Sequence, residues 1–411
     1  MTAPESRSSD VVSPPRAAAN ARTAVAALFF TNGALFANLV TRYPDLMADL
    51  ALSNAALGSA VAAYGLGALV VGLVAAPLIS RWGSSRVATV GTVVVGANLV
   101  ALVVAPSWPV LAFAFLLAGT LDVVVDVAEN AHGLRVERHY GRSILNAFHG
   151  WWSVGAVIGG AMGAVAAGLG VPLVSHLAVA AVLAATIAIV ASRFLLPGHD
   201  ETERLEASRG TRVAALGRMH LLRSVLAFGL IAAMAQVMED AAATWGSVYL
   251  RGELGAAAAV SGLGFVALQA FQTIGRLSGD RFVTRHGDRA VARAGAALAG
   301  GAMAVALAFP STVITLVAFG VVGLGIGTFI PAGLRAADDL PGLPRGVGLT
   351  LVGTVLRIAV FAVPPLIGVM ADVYSLRAAL IVMPIGALVV IVLARSLPGL
   401  PDRNPSRSLL G

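Results

Sequence analysis

The sequence predicts an all-α membrane protein: twelve transmembrane helices in two pseudosymmetric six-helix bundles. Three observations carry that prediction. Of the 411 residues, 58% are hydrophobic and only 12% are charged, about half the charge of a soluble globular chain. The apolar residues fall in runs of roughly 18 to 25, the length a helix needs to cross ~30 Å of hydrocarbon. The arginines crowd into alternate breaks between those runs, the pattern of a chain whose basic loops stay inside.

In order, the spans are 22–42, 54–79, 87–105, 109–134, 144–168, 172–193, 220–248, 256–280, 289–309, 311–335, 346–371 and 375–396. Short polar or Pro/Gly breaks separate them. With both termini inside, the tails and the even-to-odd loops hold 23 arginines, while the opposite side holds only Arg42, Arg251 and Arg377. One missed helix would scramble that split, so it supports the count. It also explains the net charge of +7 without a nucleic-acid partner.

The segment 196–219 is the only interior stretch dense in both signs of charge, and it divides the spans six and six. The expected organisation is a disordered cytoplasmic tail at 1–21, a first bundle at 22–195, a cytoplasmic linker at 196–219, a second bundle at 220–397 and a cytoplasmic tail at 398–411. The amino terminus is rich in Ser, Pro and Ala and does not read as a signal peptide. SRWGSSR (Ser80–Arg86) and TRHGDR (Thr284–Arg289) follow the second helix of each block, and aligning Arg81 with Arg285 aligns Gly83 with Gly287, which reads as internal duplication.

Within DVVVDVAENAHG, Asp122, Asp126 and Glu129 fall at i, i+4 and i+7 on one stripe of the fourth span. An acid at a helix centre costs on the order of 2.5–3.5 kcal/mol on insertion scales, so these three should face a cavity. Crowded carboxylates there suit proton coupling. The plainer reading is that Asp126 or Glu129 pairs with Arg138 or Arg142 and latches helix ends. His149, opening the fifth span in FHGWWS, is a proton relay or an interfacial residue beside Trp151 and Trp152.

Arg357 shares a face of the eleventh span with Thr350 and Thr354. Pro364-Pro365 is expected to break that helix two turns on and free backbone groups at a site. Arg357 would bind an anionic or hydroxyl-rich substrate, neutralise an acid of the fourth span, or sit in a fixed salt bridge. Gln236, Glu239, Asp240 and Thr244 in the seventh span and Gln269, Gln272, Thr273 and Arg276 in the eighth look like cavity walls, and amide-rich faces suit sugar or cyclitol hydroxyls. Simple interhelical hydrogen bonding is the alternative. Asn32, Tyr64 and Asn130 complete the expected substrate set. A phosphate-binding G-x-x-x-x-G-K-[ST] loop is impossible in a chain without lysine, no His/Cys cluster suggests a metal, and with no cysteine there is no disulfide. No cofactor and no enzymatic activity are expected.

Twelve spans, a charged central linker and a basic glycine turn after the second helix together resemble the major facilitator superfamily. The first turn is similar to that family's G-x-L-x-D-R-x-G-R-R loop through Leu78, Arg81, Gly83 and Arg86, with Ala76 and Ser80 where Gly and Asp are usual. GRLSGDRFVTRHG, from Gly275, is Gly- and Arg-rich in the same place of the second block. The resemblance implies a cytoplasmic gate at Arg81, Gly83, Arg86, Arg281 and Arg285. NGALFANLVTRYPDL, DVAENAHGLRVE, FHGWWSVGAVIGG and WGSVYLRGELG resemble the bacterial YbjJ/MosC-like branch, in which an apolar residue would stand in place of Glu129. The glycines 155, 159, 160 and 163 are similar to the antiporter signature of the fifth helix but lack its proline.

What the resemblance implies is a monomeric secondary transporter in the bacterial inner membrane. It would be coupled to protons and move a small polar solute of sugar, cyclitol or amino-sugar type by alternating access. The alternatives are efflux of an amphiphilic metabolite or drug and, in another class, a transport-inactive membrane sensor or assembly partner.

Overall fold

The computed structural model describes residues 16–71, 75–141, 143–198, 218–340, 343 and 347–399. Arg142, Arg345, most of the linker and most of both predicted tails lie outside the described residues. All regular structure among those described is helical: α1 (Arg16–Val40), α2 (Tyr43–Asp49), α3 (Asn54–Val71), α4 (Ala75–Trp82), α5 (Ser84–Val103), α6 (Trp108–Tyr140), α7 (Leu145–Gly168), α8 (Leu173–Ser192), α9 (Arg218–Gly252), α10 (Ala258–Ala308), α11 (Thr312–Ile326), α12 (Phe329–Asp338), α13 (Val347–Val373), α14 (Leu376–Ala379) and α15 (Val382–Leu393).

Ten of the described helical stretches are long and apolar enough to cross a membrane, or eleven if Tyr43–Asp49 and Asn54–Leu69, bent by 118°, form one span. α10 has 51 residues, about 76 Å of helix and more than twice the hydrocarbon thickness. It is two arms merged across Gly287, whose φ of 80° and ψ of 156° are not helical. Counting the arms separately gives eleven, or the predicted twelve when the bent pair is also taken as one span.

Gly83, at the other basic turn, has φ 82° and ψ 147°. Both glycines thus use the left-handed region that side chains resist, at the two positions the sequence alignment paired. In the first half Ser84 Oγ meets His132 Nδ1 at 2.9 Å. In the second, Arg335 Nη2 donates to Asp288 Oδ1 at 2.8 Å. In both, the residue after the glycine ties the turn to the helix two further on.

Two expectations need correction. Residues 16–21 are not tail but the first turns of α1, because Ala18 and Ala21 are buried and alanine favours helix. α13 runs unbroken through Pro364 and Pro365. A proline still removes a donor, so the carbonyls of Val360 and Phe361 lose their helical N–H partners without the helix ending.

The ends opposite the linker hold the two halves of the chain together. Asp372 of α13 accepts hydrogen bonds from the Asn54 and Ala55 backbone N–H groups at 2.9 and 2.8 Å and from Asn54 Nδ2 at 2.9 Å, capping the start of α3. Asp45 of α2 pairs with Arg42 and, across the halves, with Arg251 Nη1 of α9 at 2.5 Å. Arg42 in turn donates to the Val171 carbonyl at 2.9 Å. At the linker end, residues from both halves instead border a cavity of about 450 Å³ that includes Asn146 and His149 of α7 and Arg276, Asp280 and Arg335. The molecule is shut at the far end and parted at the linker end.

Candidate functional site: a carboxylate-lined cavity between the halves

A second, smaller cavity of about 110 Å³ lies between the halves. That is space for several waters or one small solute. Its wall comes from α1 (Asn32, Phe36), α2 (Tyr43), α3 (Tyr64), α6 (Asp122), α9 (Asp240, Thr244) and α13 (Val360, Pro364), with Phe115 and several aliphatic side chains between them.

Helical spacing aims these groups. Asp122 accepts from the Tyr64 hydroxyl at 2.7 Å, and Asp240 accepts from Gln236 Nε2, one turn back in α9, at 2.9 Å. Asn32 accepts from Trp152 Nε1 at 3.1 Å, which fixes its amide and leaves its N–H₂ to give. One face of the cavity is therefore held in place by neutral donors, with acceptor capacity left on both carboxylates.

The three acids of the α6 stripe have three environments. Asp122 lines the cavity. Asp126, one turn nearer the linker end, is exposed and takes a hydrogen bond from Asn130 Nδ2 at 2.9 Å. Glu129 is 1% exposed, and its Oε1 has no partner among the described residues. One turn beyond, His132 is fully buried between Ser84 and the Leu196 backbone N–H.

The α9 and α10 walls meet in a second polar group. Gln272 Nε2 donates to Glu239 Oε2 at 2.6 Å, and Arg276 Nη2 lies 3.7 Å from the same oxygen. Gln269 and Gln272 are each 1% exposed, and Gln269 Nε2 and Gln272 Oε1 are unpartnered among the described residues. These groups and His149, whose ring meets Phe29 edge-on at 5.2 Å, do not line the smaller cavity. His149 and Arg276 line the linker-end one.

Arg357 is exposed on α13 and makes no hydrogen bond or ion pair among the described residues, so neither an acid partner nor a fixed salt bridge holds it in this state. Arg81, Arg86, Arg281 and Arg285 are exposed as well, and the contacts at the two glycine turns run through Ser84 and Asp288 instead. Sequence reasoning missed Tyr43, Asp45, His132 and Asp372. The first two stand in the quoted YPDL, after a helix end where periodicity says nothing. Asp372 ends a span and looks like an ordinary polar boundary.

The family model for the Major Facilitator Superfamily matches residues 25–281 and 230–410. The chain belongs to the major facilitator superfamily. Among curated relatives, the uncharacterized transporter y4wD of Sinorhizobium fredii is 32% identical over 372 residues, covering 90% of this chain and 96% of its own. The membrane protein MosC of Rhizobium meliloti is 28% identical, covering 89% and 88%. Among solved structures, the nucleoside transporter NupG superposes with a TM-score of 0.73 at 14% identity, over 91% of this chain and 98% of that one. A bacterial homologue of the human lysosomal transporter Spinster gives 0.71 at 12%, over 92% and 97%. At those identities the structures share this superfamily member's fold and carry no statement about its cargo.

Proposed function

We propose that this protein is a proton-coupled secondary transporter that moves a small solute by alternating access, with the smaller cavity between the halves as its binding site. The observation that carries this reading is a cavity walled by helices of both halves and shut on one side by inter-half bonds. Rocking of the halves 22–195 and 220–397 about it would exchange the open side. The charge split supports a linker and termini in the cytoplasm, and on that reading this state faces inward. The linker-end cavity with His149, Arg276 and Arg335 is then the entry from the cytoplasm.

For coupling we assign Asp122 and Glu129. Glu129 has no partner for its Oε1, and a proton turns an acceptor-only anion into a neutral group; an unpaired charge at that place is strongly disfavoured. Asp122 links the proton to the cargo because it lines the cavity. Asp126, exposed and already bonded to Asn130, has the smaller part. Gln236, Glu239, Gln269, Gln272 and Arg276 shape the second-half wall. The apolar share of the cavity wall favours an amphiphilic cargo over a fully hydroxylated one.

Reconstituted vesicles with an imposed pH gradient test the assignment. Asp122→Asn and Glu129→Gln should abolish gradient-driven accumulation, and Glu129→Gln should leave exchange of solute between the two sides, whereas Asp126→Asn should retain most accumulation. If all three variants accumulate like the parent, the coupling assignment fails. Orientation is tested in intact cells on a chain that has no native cysteine. A cysteine at Gly252 should react with an impermeant reagent and one at Ser208 should not; the reverse would invert the topology.

A further inference from the structure

The charged groups lining the smaller cavity between the halves share one sign. Asp122 and Asp240 reach it from opposite halves, and none of the described residues lining it is basic. Tyr43 lines it too. Its side chain is only 4% exposed and its ring packs on Phe115 at 6.2 Å between centroids, yet its hydroxyl has no hydrogen-bond partner among the described residues. The rest of the wall is largely hydrocarbon: Leu35, Leu39, Val61, Val95, Leu99 and Val360.

A sugar or cyclitol presents hydroxyls on every side, and most of them would be buried here against groups that cannot bond them. An anion would meet two carboxylates. A primary ammonium carries three N–H donors and no acceptor, and the cavity offers three acceptor sites on three separate helices. Hydrogen bonds to a charged partner are the strong ones, and one organic cation with one proton neutralises two carboxylates.

We propose that the cavity binds a small primary organic ammonium ion with a largely apolar body, held by Asp122 and Asp240 with Tyr43 as the third acceptor. The proposal rests on the transport reading of the same cavity and narrows its cargo. Binding of the amine and of the coupled proton then converge on Asp122, so the two are linked through one side chain.

Calorimetric titration of the full-length protein in detergent with phenethylammonium tests it, against neutral 2-phenylethanol, anionic 3-phenylpropionate and myo-inositol. Phenethylammonium should bind at least tenfold more tightly than each of the other three. Asp240→Asn and Asp122→Asn should each weaken it at least tenfold, about 1.4 kcal/mol, while Asp240→Glu retains part of the affinity. Tyr43→Phe, which keeps the ring and its packing, should weaken it about threefold and remains readable if the Asp variants do not fold. No binding of phenethylammonium, equal binding of the alcohol or myo-inositol, or unchanged affinity in Tyr43→Phe and whichever Asp variants fold would overturn the proposal. Flux of the amine into vesicles separates the two readings. Binding without any gradient-driven flux contradicts transport and keeps the amine site, whereas gradient-driven flux of myo-inositol with no amine binding does the reverse.

Discussion

Tyr64 and Gln236 decide how the two cavity carboxylates present themselves. Removing the 2.7 Å bond from Tyr64 to Asp122 takes away a donor of the class worth about 1.5–3 kcal/mol when its partner is charged. Tyr64→Phe should therefore lower transport by an order of magnitude or more while the protein still purifies folded, as read by vesicle flux beside a thermal melt. Arg357 makes the opposite case. Being exposed and unpaired here, it strands no acid when removed, so Arg357→Ala should change thermal stability by no more than about 0.5 kcal/mol. A large fall in the melting temperature would show a partner that this state does not contain. The acid stripe was legible in the sequence because i, i+4, i+7 spacing fixes a face. The separate fates of Asp122, Asp126 and Glu129 were not, since they depend on which neighbouring helix covers each turn. Tyr43 was illegible for a related reason: it stands beyond a helix end, where only the folded chain turns it back to the cavity.

Gly83 and Gly287 show how much of a helix boundary a single backbone conformation carries. Each holds φ near +80°, where a Cβ is strained, and each turn is tied onward by its next residue. Gly287→Ala should destabilise the protein by more than about 1 kcal/mol, lowering the melting temperature in detergent, with Gly83→Ala acting likewise. Should both melt like the parent, the turns are not the fixed points described above. The sequence predicted two spans within this 51-residue stretch because a basic, glycine-centred break parts two apolar runs, and the backbone does leave helical geometry there, at Gly287. It misjudged Pro364-Pro365 for the converse reason. Proline removes hydrogen bonds, but neighbouring helices can hold a span together across the gap, and here α3 of the other half packs along α13 through that stretch.

Bonds between the halves at the far end set the state of the whole molecule. Asp372 caps α3 with three hydrogen bonds, and Asp45 joins α2 to α9 through Arg251. Opening to the far side must break both, so they hold the molecule closed at that end. Pairs of spin labels on the cysteine-free chain measure this most directly, one pair across the far end at Ser53 and Tyr374 and one across the linker end at Asn146 and Ser278. If the halves rock about the cavity, Asp372→Asn combined with Asp45→Ala will lengthen the far-end distance and shorten the linker-end distance in the same population of molecules. Both distances staying fixed in that variant and at every pH tested would contradict alternating access about this site.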